Sequence, residues 1–222
     1  MLTHLFLNMT LMGAEWVLWV LILLSFLSVG IVVDRFLYFQ RQHVDGAALA
    51  ENLSQNLRAG NLQAAWELVA NGDNIESQVV AAGLASAKKG AQACSEAMLS
   101  VKAREKGNVD SKLSVLGTIG SNAPFVGLLG TVLGIIKAAH DMGQQSGGSG
   151  DPGAVMAGVF EALVATAVGL CVAIPAIVFF NSFQRKVKST MAQVDSLAHL
   201  VLTFVPAHKS ASTAQHSQTA GV

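Results

Sequence analysis

Between Lys112 and Lys137 the chain places 24 residues without a charged side chain, and between Pro152 and Gln184 it places only one, Glu161. Uncharged runs of this length constrain the fold more than any other feature of the chain. About 20 apolar residues in a helix cross the ~30 Å hydrocarbon core of a bilayer. In that medium a helix pairs every backbone N–H and C=O within itself, which an open strand cannot do. A third uncharged run, Trp16 to Val33, has 18 residues and carries Trp16 and Trp19 near its start. No Lys or Arg precedes that run and no A-x-A site follows it, so it reads as an anchor rather than a cleaved signal peptide. The alternation expected of strands is absent from the sequence. The expected fold is all-α: a polytopic membrane protein with three transmembrane helices, whose long helices extend into a helical cytoplasmic domain.

The composition agrees with this and removes several classes of function. Hydrophobic residues make up 52% of the 222 and charged ones 13%, against about 25% charged in a typical soluble domain. The formal net charge of zero is a cancellation. Nine Lys/Arg lie from Arg35 to Lys112, four from Arg185 to Lys209, and Lys137 stands apart. No basic, aromatic-laced patch supports nucleic-acid binding. Cys94 and Cys171 fall in segments of different character, and the six histidines are scattered. Neither a disulfide nor a metal site is expected, and no cofactor. No nucleophile–base pair or paired carboxylates suggest an enzyme. Gly127-Leu-Leu-Gly-Thr131 lacks the G-K-[ST] ending of a phosphate loop and lies inside an apolar run.

The spans divide the chain. Residues 1–15 form an N-terminal segment, 16–35 the first span, and 36–112 a polar, alanine-rich helical domain without proline. The second span is 113–141, followed by a glycine-rich loop at 142–152 (the run GQQSGGSGDPG is Gly143 to Gly153), and the third span is 153–184. Residues 185–205 continue as a helix, and 206–222 form a polar tail expected to be disordered. Within the polar domain, Asn61–Ala70 and Ile75–Lys88 read as amphipathic helices, and Ala91–Val115 as one long helix. With three spans, the basic residues near the span ends fall on one side. The positive-inside rule makes that side cytoplasmic and puts the N-terminus and the glycine-rich loop outside.

Both long spans have a small-residue face. On the second, Gly120, Ala123, Gly127, Gly130, Thr131, Gly134 and Ala138 share one arc, and Gly120, Gly127 and Gly134 recur every seven residues. On the third, Gly158, Glu161, Ala162, Ala165, Thr166, Gly169, Ala173 and Ala176 fall within about 140° at 3.6 residues per turn. Small faces let membrane helices approach closely, so Gly120, Gly127, Gly130, Gly134, Gly158, Ala162, Ala165 and Gly169 are the expected packing residues. Pro124 and Pro175 are the expected kinks. Measured from the span ends, Thr131 lies about 15 Å deep, Glu161 about 12 Å and Thr166 about 20 Å. An intramembrane carboxylate marks an ion or proton pathway by default. Glu161 can exchange a proton, and Thr131 and Thr166 can relay one or hold water. One glutamate and two spans do not close a pore, so further copies or a partner helix are implied.

These residues carry a resemblance. Gly117-Thr-Ile-Gly-Ser-Asn-Ala-Pro-Phe-Val-Gly-Leu-Leu-Gly-Thr-Val-Leu-Gly-Ile-Ile136 and Glu161-Ala-Leu-Val-Ala-Thr-Ala-Val-Gly-Leu-Cys-Val-Ala-Ile-Pro-Ala176 resemble the signature of the MotA/TolQ/ExbB proton-channel family. Three spans and this length resemble its ExbB/TolQ branch. The resemblance covers about residues 10 to 205 and implies a homopentamer in the bacterial inner membrane. That pentamer would surround a dimer of an ExbD/TolR-like single-span partner, whose aspartate takes protons. It implies that Thr131 and Thr166 line the pore, and that Glu161 sits near the path and helps hold the helices together. The work would reach the envelope through a TonB/TolA-like or motility protein. Asn122-Ala123 departs from the family pattern, as do Lys137, His140 and the glycine-rich loop. TonB-dependent uptake, Tol-Pal upkeep and gliding motility would look alike from this chain. The readings set against a proton-driven motor subunit are a passive oligomeric scaffold and a self-sufficient channel. Three spans without an inverted repeat do not match a transporter plan.

Overall fold

The computed structural model describes residues 15–42, 46–144 and 152–205. The polar tail, nearly all of the N-terminal segment and most of the glycine-rich loop lie outside the described residues. Six α-helices are described: α1 (Glu15–Arg41), α2 (Gly46–Arg58), α3 (Leu62–Ala70), α4 (Ile75–Ser86), α5 (Ala91–Gln144) and α6 (Pro152–Phe204). A short 3₁₀ turn, Ala87–Lys89, joins α4 to α5. Among the described residues there is no strand. Three helices are long and apolar enough to cross a membrane, so the chain is an all-α polytopic membrane protein.

The helices are longer than the apolar runs within them. The second span is the C-terminal half of the 54-residue α5, which begins at Ala91. The third is the N-terminal half of the 53-residue α6, which continues to Phe204. Charges at Lys112 and Arg185 mark where the surroundings change, but neither residue breaks a helix. Pro124 and Pro175 lie inside α5 and α6. Each lacks the N–H that would bond the carbonyl four residues earlier, so the carbonyls of Gly120 and Cys171 lose their usual helical donor.

The chain divides into two compact units. The first comprises residues up to Tyr38 together with Asp110–Arg185. Its core joins Val17 and Leu21 of α1, Ile119 and Ala123 of α5, and Val172 and Ala173 of α6. At one end Lys112 Nζ lies 3.1 Å from Asp34 Oδ2. Nearer the other, Val17 packs on Gly130, where an added Cβ would lie 3.2 Å from its Cγ1. The α1 chain therefore runs antiparallel to the spanning part of α5.

The second unit comprises Phe39–Val109 and the chain from Lys186 onward. Leu49, Leu53 and Leu57 recur every four residues along α2 and are buried, as one face of an amphipathic helix should be. Asn61 caps α3 by accepting a hydrogen bond from Ala64 N at 3.0 Å. Gly90, at φ 102°, makes the turn into α5 in a conformation open to glycine. Within this unit Lys102 pairs with Asp195. Cys94 is buried, and that burial pushes its thiol pKa up.

Candidate functional site

The site is built on the seam between the spanning parts of α5 and α6. All seven residues of the α5 small face, Gly120, Ala123, Gly127, Gly130, Thr131, Gly134 and Ala138, are buried. On α6, Ala162, Ala165, Gly169, Ala173 and Ala176 are buried, and Gly158 is half-buried. A methyl group at Gly127 would lie 2.8 Å from the Ala165 carbonyl oxygen and 3.0 Å from Thr166 Cα. One at Gly169 would lie 2.7 Å from the Ala123 carbonyl oxygen. These approaches are backbone against backbone, and no larger residue fits them without a shift.

The contacts also set the register. Gly117 faces the Phe180 ring, Gly120 faces Ile177, Gly127 faces Ala165 and Thr166, and Gly158 faces Ala138. The two helices run antiparallel, and each step up one is matched by a step down the other. Thr131 and Thr166 therefore stand at the same level, one on each helix, beside the tightest part of the seam.

Their hydroxyls are placed differently. Thr131 is 9% exposed, and its Oγ1 donates to the Leu128 carbonyl of its own helix at 2.7 Å. Thr166 is half-buried. Its Oγ1 is shut off from solvent and has no hydrogen-bond partner among the described residues. A hydroxyl buried in that way costs free energy unless something bonds it. Among the described residues the Thr166 hydroxyl thus keeps unused hydrogen-bonding capacity.

Glu161 does not join the seam. It is exposed, whereas its neighbour Ala162 is buried. Five residues separate Glu161 from Thr166, about 140° around the helix, and the buried residues Ala162, Ala165 and Gly169 lie between them. The sequence arc held all of these residues, but the structure puts Glu161 and Thr166 on its two opposite edges. Around Glu161 the surface is apolar, with Phe160 70% and Leu163 58% exposed. Further along α5, Lys137 is half-buried, and His140 Nδ1 lies 3.6 Å from Asp141 Oδ1. Among the described residues no cluster of His, Cys, Asp or Glu could hold a metal ion.

The comparisons with known proteins fall on this architecture. Residues 71–196 match the model of the MotA/TolQ/ExbB proton channel family. The chain is similar to a biopolymer transport protein ExbB of Xanthomonas campestris, 47% identical over 96 residues, which are 43% of this chain and 37% of that protein. It is also similar to an ExbB of Pseudomonas putida, 45% identical over 98 residues, which are 44% of this chain and 29% of that protein. An ExbB of Helicobacter pylori is 52% identical over 79 residues, which are 36% of this chain and 53% of that protein. The matched stretch thus spans between 29% and 53% of those relatives' own lengths. With a family match that takes in the seam, both interior prolines and all three polar site residues, the chain belongs to the MotA/TolQ/ExbB proton channel family, on its ExbB/TolQ side.

Proposed function

We propose that the chain is the proton-conducting stator subunit of a bacterial inner-membrane motor. In this reading several copies, most simply five, surround two helices of an ExbD/TolR-like single-span partner. Protons moving down their gradient through the assembly drive one component against the other, and the work goes to the cell envelope. The family and the ExbB names of the relatives support a proton-channel role in biopolymer transport. The recipient system is of the TonB-dependent, Tol-Pal or gliding type.

The observation that carries the reading is the buried Thr166 hydroxyl without a partner, level with Thr131 across the seam. In a helix pair closed elsewhere by glycine and alanine, the unsatisfied hydroxyl of the half-buried Thr166 is suited to a water or to a protonatable group of a partner helix, which it meets by rotating out of the seam. Glu161, exposed in an apolar surface, has to meet protein or water in the assembly, because lipid would not solvate it. Thr131 fits a second reading, the passive scaffold, because its hydroxyl is already spent on its own backbone.

One experiment separates the two. Glu161→Gln, Thr131→Val and Thr166→Val are each co-purified with the partner and assayed for gradient-dependent proton flux in vesicles. The motor reading expects all three to assemble and to lose flux. Under the scaffold reading Glu161→Gln is silent, since an amide still donates and accepts. Full flux in Glu161→Gln would remove its charge from the path, and full flux in all three would remove the site.

A further inference from the structure

We propose that Asn122 makes a hydrogen-bonded contact between neighbouring copies of this chain, with the carbonyl of Cys171 on α6 of the next copy as its partner. The inference rests on the oligomeric reading above. Asn122 is one of the departures from the family pattern that the proton path leaves unused.

The seam takes the Gly120, Ala123 and Gly127 side of α5. Asn122 lies on another side and is exposed. Its Nδ2 donates to the Thr118 carbonyl at 2.9 Å and, more weakly, to Ser121 Oγ at 3.3 Å. Thr118 and Ser121 are also exposed and donate to Ser114 O and Gly117 O, each at 2.9 Å. The next turns of the helix expose only large apolar groups, Phe125 at 67%, Leu128 at 54% and Leu129 at 43%. This is a small amide and hydroxyl patch on an otherwise greasy surface. In hydrocarbon such a patch draws a partner helix.

The complementary group is on α6. Pro175 removes the donor for the Cys171 carbonyl, and both Cys171 and Pro175 are exposed, on the side of α6 away from the buried alanines. The seam register puts Asn122 level with this region, because the flanking Gly120 and Ala123 meet Ile177 and Gly169. Copies related by rotation about the membrane normal keep every residue at its own depth. In a closed ring the contact is heterologous: the side of α5 turned away from its own α6 meets the side of the next α6 turned away from its own α5. Asn122 and Cys171 lie on those two sides at one depth. One N–H, held by Ser121 Oγ at only 3.3 Å, can turn to the carbonyl.

The test uses the full chain and its native thiol. In a Cys94→Ala background, Asn122→Cys should form a disulfide with Cys171 of the next copy under mild oxidation. Non-reducing electrophoresis should then show a ladder up to the full ring. Adding Cys171→Ala should abolish the ladder, and Phe26→Cys on α1 in place of Asn122→Cys should give none. Separately, Asn122→Leu should weaken each interface about tenfold on dilution in detergent, the scale of one interhelical hydrogen bond in a membrane. A wild-type oligomer in native mass spectrometry without Cys171-dependent crosslinks overturns the contact and leaves the oligomer standing. Labelling of Asn122→Cys by a lipid-phase maleimide as fast as Phe26→Cys means that lipid covers the patch, and it also overturns the contact. A monomeric wild type removes both the contact and the oligomeric reading.

Discussion

Thr166 and Thr131 differ in a way that makes their substitutions diagnostic. The Thr166 hydroxyl has no bond among the described residues to lose. Thr166→Val should therefore stabilise the isolated chain, by about 1 kcal/mol, the scale of a buried hydroxyl left unbonded, while abolishing flux in the assembled motor. Thermal unfolding in detergent beside vesicle flux checks this, and a large loss of stability would show that the hydroxyl is structural. Cys94 gives a second expectation at this scale. The thiolate is the reacting species, and burial raises the thiol pKa, so less thiolate is present at any given pH. Maleimide should modify folded Cys94 at least about tenfold slower than denatured chain, and the rate should climb as pH rises. Equal rates in the two states would contradict the burial. The sequence singled out Glu161 and the threonines, because a lone acid and two hydroxyls stand out in apolar runs. A helical arc of 140° names its members without saying which of them a neighbour covers, and only the positions of Ala162 and Ala165 in the seam place Glu161 outside it.

Among the elements, the seam is where an added methyl group meets backbone rather than a side chain that can give way. Gly127→Ala and Gly169→Ala would each press a methyl group against backbone at 2.8 Å and 2.7 Å. Each should cost about 1–3 kcal/mol, the range for overpacking. Gly30→Ala on α1 meets nothing within 4 Å and should be neutral or stabilising by up to ~1 kcal/mol through helix propensity. Unfolding in a graded detergent series would rank the three, and parity between them would mean that the seam yields freely. The small faces were legible because glycine at every seventh position has few uses on a helix other than close approach. That long helices run on from the spans was legible too, but the residues at which α5 and α6 begin and end were not. Apolar runs end where the surroundings change, and Lys112 and Arg185 were natural places to divide the chain, but a helix stops only where its backbone bonding stops.

For the whole molecule, the charge distribution predicts sidedness. In a chain with both native cysteines replaced, Met142→Cys should react with an impermeant maleimide from outside intact cells. Gln55→Cys should react only after permeabilisation. The reverse pattern would invert the topology. Both positions are exposed in the chain, whereas Ser77, in the same polar domain, is buried and would report burial instead of side. The tight seam also bears on how the protein can change over generations. Glycine is the smallest residue, so every replacement at Gly127 or Gly169 adds atoms and none can remove them. Drift at these codons has a single direction, toward excess, and compensation opposite has little to work with, because the nearest atoms there are backbone atoms of Ala123, Ala165, Thr166 and the two glycines themselves. Ala165 could shrink once, to glycine, whereas Gly127 and Gly169, which face each other, have nothing left to give. A saturation library should therefore be nearly blank at these two positions, while exposed α1 positions such as Leu23 and Phe26 accept almost any apolar substitute.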